Sequence, residues 1–387
     1  MPGPADSGSV PDAARTGSLF IGLMSGTSMD GIDAALVTFG EHRCNLVATC
    51  AAHYPHTLRN ELLEACRMPA QCTVDTVGRL DQWVGECFRD AALQVIAKAK
   101  VQPESITAIG SHGQTLRHQP RAARPFSLQI GDANIIAAGT GITTVADFRR
   151  RDIALGGEGA PLAPAFHRWL FADTTRTRVV LNIGGIANVT ILSASGIPVI
   201  GFDTGPGNSL LDAWIRNHRN AAFDESGEWA RSGSVNETLL GLMLEDPFFG
   251  LAPPKSTGFE HFNIGWVRSK LATFGKNVAA ADVQATLAEL SARSIAQSIL
   301  QYATDLDDVL VCGGGVHNMD MMRRLGSHLT GVQVSSTAHH GLHPDWVEAA
   351  AFAWLARRCL EGKVGNLPDV TGASRPAVLG AIYLTTG

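Results

Sequence analysis

Three short glycine turns each follow an apolar run in this chain: Ser25-Gly26-Thr27-Ser28 after LFIGLM, Gly184-Gly185 after RVVLNI, and Gly313-Gly314-Gly315 after DDVLVC. Turns of this kind bring backbone N–H groups up to phosphate oxygens with no side chain in the way, and residues able to take positive φ build anion nests. Singly, each is more simply an ordinary hairpin or strand–helix connection. Beside them stand groups that could move protons or hold charge: Asp203 in GFDTGPGN, Glu348 in DWVEAAAFA, Arg149 in DFRRRD, and His112 and Gln114 in GSHGQT. A carboxylate at a strand end is suited to general-base work. Each has a blander reading as well. Asp203 serves equally as a turn or helix cap before Gly-Pro-Gly. Asp345 to Glu348 reads as a capping-box variant opening an apolar helix. Arg149 is otherwise a solvated charge, and His112 and Gln114 a satisfied structural turn. Asp30 and Asp33 follow the first turn, with Gly31 between them. Two carboxylates beside a phosphate repel it unless a cation or water intervenes, so turn stabilisation suits them at least as well. The backbone of Gly26 and Thr27 is the better phosphate contact.

The elements that must position these groups follow from hydrophobic spacing. LFIGLM, a tight turn and IDAALVTF read as strand, turn, strand. The pattern returns from Arg178 to Leu192 as RVVLNI, GGIAN and VTIL, which points to a duplicated domain. A helix around Val77 to Ala99 leads to the strand ITAIG, which ends at SHGQT. In the second half, IPVI reads as a strand that places Asp203 at its C-terminal end, and LLDAWIRNH as the helix that follows. TLAELSARSIAQSILQYA (Thr286 to Ala303) reads as a long amphipathic helix, and WVEAAAFAWLARRCL and AVLGAIYL as apolar helical runs. Alternating strands and helices give an α/β class.

The 387 residues suggest two or three domains. The 41 glycines fall in clusters without a period, so collagen-like and low-complexity readings fail. A formal net charge of −5 with thinly spread Lys and Arg leaves no footprint for nucleic acid. Seven cysteines, without a C-x-x-C pair, read as reduced and structural. The longest apolar run, Ala349 to Ala356, is far short of a membrane span. Residues 1–17 lack signal-peptide order and read as a loose tail on a cytoplasmic protein. No Walker, Rossmann, zinc-hydrolase or nucleophile-elbow motif is present.

In order, SGTS, NIGGIAN and VLVCGGGVHN resemble the phosphate 1, phosphate 2 and adenosine motifs of the sugar kinase, actin and Hsp70 superfamily. Within it, GLMSGTSMDGIDAALV, GSHGQT, ADFRRRDIALGGEGAPLAP, LNIGGIAN, GFDTGPGN and VCGGGVHN resemble the anhydro-N-acetylmuramic acid kinase family, from Leu19 to near the C-terminus. The resemblance implies two actin-like (ribonuclease H-like) α/β domains around a cleft, spanning 18–146 and 147–387, with the last helix packing back on the first. It implies ATP and Mg²⁺ as cofactors and a small anhydro amino sugar as substrate. It also implies a homodimer, and neither nucleic acid nor membrane as partner. Ser25, Gly26, Thr27, Ser28, Asp30, Gly31, Asp33, Gly184, Gly185, Asn188, Gly313, Gly314, Gly315 and Asn318 would face ATP. Arg149, Asp203, His112 and Gln114 would face the sugar, with Asp203 as base, and Asp203 with Glu348 would hold Mg²⁺. One departure is that the superfamily's usual acids before the first two glycine turns are Met24 and Asn182 here. The implied reaction is ATP-dependent phosphorylation of 1,6-anhydro-N-acetylmuramic acid with hydrolytic ring opening, in peptidoglycan recycling. A conventional amino-sugar or hexose kinase, a levoglucosan-type anhydrosugar kinase and a non-enzymatic actin-like or chaperone-like ATP switch are the alternatives.

Overall fold

In the computed structural model, residues 17–26 and 29–385 are described. Residues 1–16 of the expected tail, and Thr27 and Ser28 of the first glycine turn, lie outside the described residues. One sheet is built from β1 (Leu19–Met24), β2 (Gly31–Gly40), β3 (Arg43–His53), β4 (Ile106–Ser111), β7 (Thr144–Ala146) and β13 (Ala381–Tyr383); its order is β13-β7-β4-β1-β2-β3. Between them, β5 (Gln114–Gln119) and β6 (Phe126–Ile130) form a separate hairpin. A second sheet contains β8 (Thr177–Ile183), β9 (Ile186–Leu192), β10 (Ile200–Pro206), β11 (Leu306–Cys312) and β12 (Gln333–Ser336), in the order β10-β9-β8-β11-β12.

The two sheets repeat one plan. In each, three consecutive antiparallel strands are followed by a strand parallel to the first: β4 on β1, and β11 on β8. The duplicated glycine hairpins of the sequence are the β1–β2 and β8–β9 corners of this plan.

Strand alternation divides the core into three. Ile21, Leu23 and Leu36 point to one side of the first sheet, against the helix Val74–Ala99. Phe20, Ala35, Val37 and Ala108 point inward, and Val180, Leu310 and Cys312 of the second sheet meet them from the opposite side. Between lies the helix Val347–Leu360, buried from Val347 through Ala356 apart from Glu348. Its Ala-rich composition is what allows it to lie close to strand backbone. A Cβ built on Gly22 would meet the Ala349 carbonyl, and one on Gly110 the Phe352 carbonyl. The outer face of the second sheet, with Val179, Leu181, Val309 and Val311, is covered by the helices Ser209–Arg219, Ala280–Tyr302 and Met319–His328.

Four expectations change. The helix expected from Thr286 runs Ala280–Tyr302 and is buried almost all round from Val283 to Ser298, because neighbours cover its polar positions too. AVLGAIYL is no helix: Gly380 takes φ +100° and Ala381–Tyr383 pairs with β7, whose open edge captures it. The strand near IPVI lies later, at Ile200–Pro206, so Asp203 sits within it. The capping box at Asp345 is absent; Trp346 has no side-chain cap, and Asp345 Oδ1 instead lies 2.8 Å from His317 Nε2.

Candidate active site

The register of β8, β9 and β10 sets Asn182, Asn188 and Asp203 directly opposite one another, a polar rung across three strands beside the Gly184-Gly185 corner. Cross-strand partners share a face, so their side chains stand side by side. The corner itself is stitched to GPGN: the N–H groups of Gly207 and Ser209 donate to Gly185 O at 2.9 and 3.1 Å, and that of Asn208 donates to Gly184 O at 2.8 Å. At the Asn182 end of the rung, the guanidinium of Arg149 and then the Asn182 amide favour the charged form of the Glu348 carboxylate. Asn182, Asn188 and Asp203 of the second sheet, Glu348 of the central helix and Arg149 from the segment after β7 therefore form one polar line.

Asp203 is half-buried. Its Oδ2 accepts from the Thr257 N–H at 3.0 Å, and its own N–H donates to Lys255 O at 3.1 Å. Burial pushes its carboxyl up to about 7; Glu260 and Glu158 add to the rise, while the Thr257 amide and Lys255 oppose it. Glu348 is raised as well, chiefly by burial, against the pull of Arg149 and of the Asn182 amide. Asp33 is pushed to about 6 by loss of water, then by the charges of Glu348 and Asp345, although its side chain keeps an open face.

Arg149 donates from Nη1 to Gly159 O at 2.8 Å and from Nε and Nη2 to His112 Nε2 at 3.1 and 2.8 Å. Burial, and then the neighbouring Arg149 charge, hold His112 neutral. Its ring also lies 4.7 Å from that of Phe352. Asp152 accepts from Gly159 N–H, Asn366 and Thr371, which fixes the glycine-rich loop on which Arg149 leans.

At the first glycine turn, Ser25 Oγ lies 2.6 Å from Gly31 O and 2.7 Å from Gln114 Oε1, and Gln114 Nε2 donates to Gly26 O at 3.2 Å. Gln114 is fully buried. Its polar atoms are thus committed to the shape of that turn, while His112, two residues earlier, serves Arg149. Asp30 is bound to Arg59 at 2.7 Å, the turn-stabilising role. The Gly313 to Gly315 turn packs on the second corner, since a Cβ on Gly313 or Gly315 would strike Asn182 or Ile183. Asn318 Oδ1 caps the helix Met319–His328 by accepting from Met321 N–H at 3.0 Å, leaving its Nδ2 for other contacts.

Asn182, Lys255 and Thr257 are the residues that sequence reasoning passed over. Asn182 was visible only as a missing acid. Lys255 had a faint signal: a lysine following Pro-Pro in a chain where lysines are few.

For a divalent cation, the donors gathered at the start of the central helix are hard oxygens: Glu348 and Asp33, with Asp345 nearby. Among the described residues no group of three or more Asp, Glu, His or Cys is arranged to hold a metal unaided. That suits Mg²⁺, which keeps water and takes one or two carboxylates together with substrate phosphates. Asp203, expected beside Glu348 at the metal, stands instead among the charges of Glu260, Glu158 and Lys255, while Asp33 is the carboxylate that feels Glu348. No helix among the described residues is long and apolar enough to cross a membrane.

Comparison with known proteins gives a family model, anhydro-N-acetylmuramic acid kinase, matching residues 18–385. An anhydro-N-acetylmuramic acid kinase of Xanthomonas campestris pv. campestris is 52% identical over 368 residues, covering 94% of this chain and 97% of its own. One from Coxiella burnetii is 50% identical, with coverage of 94% and 97%. Among solved structures, a ROK family glucokinase from Streptomyces griseus in complex with glucose and AMPPNP is 16% identical with a TM-score of 0.39, over 88% of this chain and 99% of that one. With one match spanning all six motifs and both sheets, the chain belongs to the anhydro-N-acetylmuramic acid kinase family.

Proposed function

We propose that this enzyme transfers the γ-phosphoryl group of ATP to O6 of 1,6-anhydro-N-acetylmuramic acid while water opens the anhydro bridge, giving N-acetylmuramic acid 6-phosphate and ADP. The observation that carries this reading is Asp203: a carboxylate with its affinity for protons raised to about 7, on the same rung as the Gly184-Gly185 corner. An anhydro sugar has no free 6-hydroxyl to deprotonate, because O6 is held in the acetal with C1. The base must therefore act on water. Asp203 takes a proton as the water oxygen bonds to C1; the C1–O6 bond breaks, and its electron pair lets O6 attack the γ-phosphorus. This joins an inverting glycoside hydrolysis to a phosphoryl transfer.

The remaining residues divide the work. Amides of the glycine corners face the phosphates, with Gln114 holding the first corner in shape. Arg149 presents its guanidinium to the sugar's carboxylate, a fork suited to that anion. Glu348 and Asp33 would hold Mg²⁺, which when bound neutralises charge on the transferring phosphates. Residues 18–146, joined by the returning strand Ala381–Tyr383, form one unit and the rest of 147–387 the other, and the two close on both substrates. A homodimer in the cytoplasm, feeding a cell-wall recycling route, completes the reading; light scattering on the purified protein tests the dimer.

The test is Asp203→Asn. ADP binding by calorimetry is expected to persist while turnover falls about 10²–10⁴-fold. Near-normal turnover of the anhydro sugar would remove Asp203 from the role. In ¹⁸O-labelled water, label is expected at C1 and not in the phosphate. Parallel assays with free N-acetylmuramic acid and levoglucosan separate this reaction from a conventional sugar kinase or a plain anhydrosugar kinase.

A further inference from the structure

Behind Asp203 lies a buried cation that the mechanism above does not use. Lys255 is 5% exposed. Its ammonium donates to the carbonyls of Phe248 and Phe249, each at 3.4 Å, and lies over the rings of Phe248 at 4.8 Å and Phe202 at 5.8 Å. Among the described residues no carboxylate forms an ion pair with it. A buried lysine without a carboxylate partner is unusual unless its place in the fold requires it.

The backbone of the same segment grips the base from both ends. Lys255 O receives the Asp203 N–H, and the Thr257 N–H donates to the Asp203 carboxylate. Residues 255–257 thus run beside β10 as a strap, on the side away from β9. Neither the β10–β9 ladder, which shifts register between Asp203 and Gly205, nor any other side chain supplies a second hydrogen bond to that carboxylate among the described residues. Where the strap sits decides where the carboxylate points. The strap is itself moored by the Lys255 ammonium to the Pro247–Gly250 turn.

We propose that Lys255 is a positioning residue for Asp203, acting through this strap: its ammonium fixes the 255–257 backbone, and that backbone aims the carboxylate at the attacking water. The proposal rests on Asp203 being the base. A lysine at this site supplies three donors and a charge that two carbonyls and two aromatic rings accept without a carboxylate. Removing it leaves the two carbonyls without their donor and lets the strap move. Displacement of a reacting group by about 1 Å is enough to cost roughly 10²-fold in rate.

The experiment is Lys255→Met, which keeps length and apolar bulk while removing charge and donors, alone and combined with Asp203→Asn. Coupled ADP release with the anhydro sugar is expected to show kcat down about ten- to 10²-fold, with KM for ATP and ADP affinity by calorimetry within about twofold. In the Asp203→Asn background, Lys255→Met is expected to add less than about twofold, since an effect acting through Asp203 vanishes with it. Lys255→Gln, which keeps a donor of similar reach, is expected to fall between the two and stands in should the Met variant fail to fold. Unchanged kcat overturns the proposal, as does a loss that multiplies with that of Asp203→Asn or one that weakens ADP binding in parallel. A normal Asp203→Asn enzyme would instead overturn the base assignment beneath it.

Discussion

At the residue scale, Asp203 makes a prediction in two observables. A base works only when deprotonated, so kcat/KM is expected to rise about tenfold per pH unit up to about pH 7 and to level off above it, read from a pH–rate profile. The same shift bears on stability with the opposite preference. The folded carboxyl holds its proton more tightly than the unfolded one, so folding favours the neutral acid. The folded state is therefore penalised as pH rises from about 4 through about 7. Asp203→Asn is expected to raise Tm at pH 8 relative to wild type by more than at pH 4, measured by calorimetry; an equal or opposite difference would contradict the assigned shift. Individual residues also show what the sequence could and could not display. Asp203, Glu348 and Arg149 stand out in the sequence because their types are suited to chemistry and their motifs are distinctive. Gln114 was expected to face the sugar, whereas the fold brings its amide against Ser25 and Gly26, a contact that no local pattern displays. Lys255 and Thr257 reach Asp203 from more than fifty positions along the chain, a proximity that no local pattern encodes.

At the scale of elements, glycine permits close packing of helix on strand. The helix Val347–Leu360 rests on β1 and β4 at Gly22 and Gly110, where any Cβ would run into its backbone carbonyls. Gly110→Ala is expected to force that helix off the sheet and to cost about 2–3 kcal/mol in urea unfolding. Turnover should fall with it, because Glu348 opens the helix; Gly326→Ala, where a Cβ meets nothing, is the control. Strand periodicity revealed both glycine corners, because they sit in long apolar runs whose local preference and global role agree. The strand carrying Asp203 was misplaced for the converse reason. Its span is decided by the ladder to β9, through Ile200↔Ile191 to Pro206↔Ile186, and not by its own residues. The Asn182, Asn188, Asp203 rung is a property of register and has no signature in any one segment.

For the whole molecule, the chain does not keep to two consecutive halves. After completing the second sheet it returns to the first, supplying the central helix and then β13 on the edge of β7. Ala377 also exchanges hydrogen bonds with Gly365 and Asn366, and Asn366 reaches Asp152 beneath the Arg149 loop. A chain ending at Pro376 is therefore expected to melt about 4 °C or more lower and to show a raised KM for the sugar, read by calorimetry and steady-state kinetics. Unchanged KM would show that the tether does not reach the loop. The position of the central helix has a further consequence during synthesis. The first sheet's strands β1, β2, β3, β4 and β7 leave the ribosome by Ala146, yet the helix that covers their inner face begins only at Val347. At about 5–20 residues per second, that apolar face waits on the order of 10–40 s for its cover. The nascent chain is thus obliged to carry an open hydrophobic surface for most of its translation, a natural place for a holding chaperone to bind.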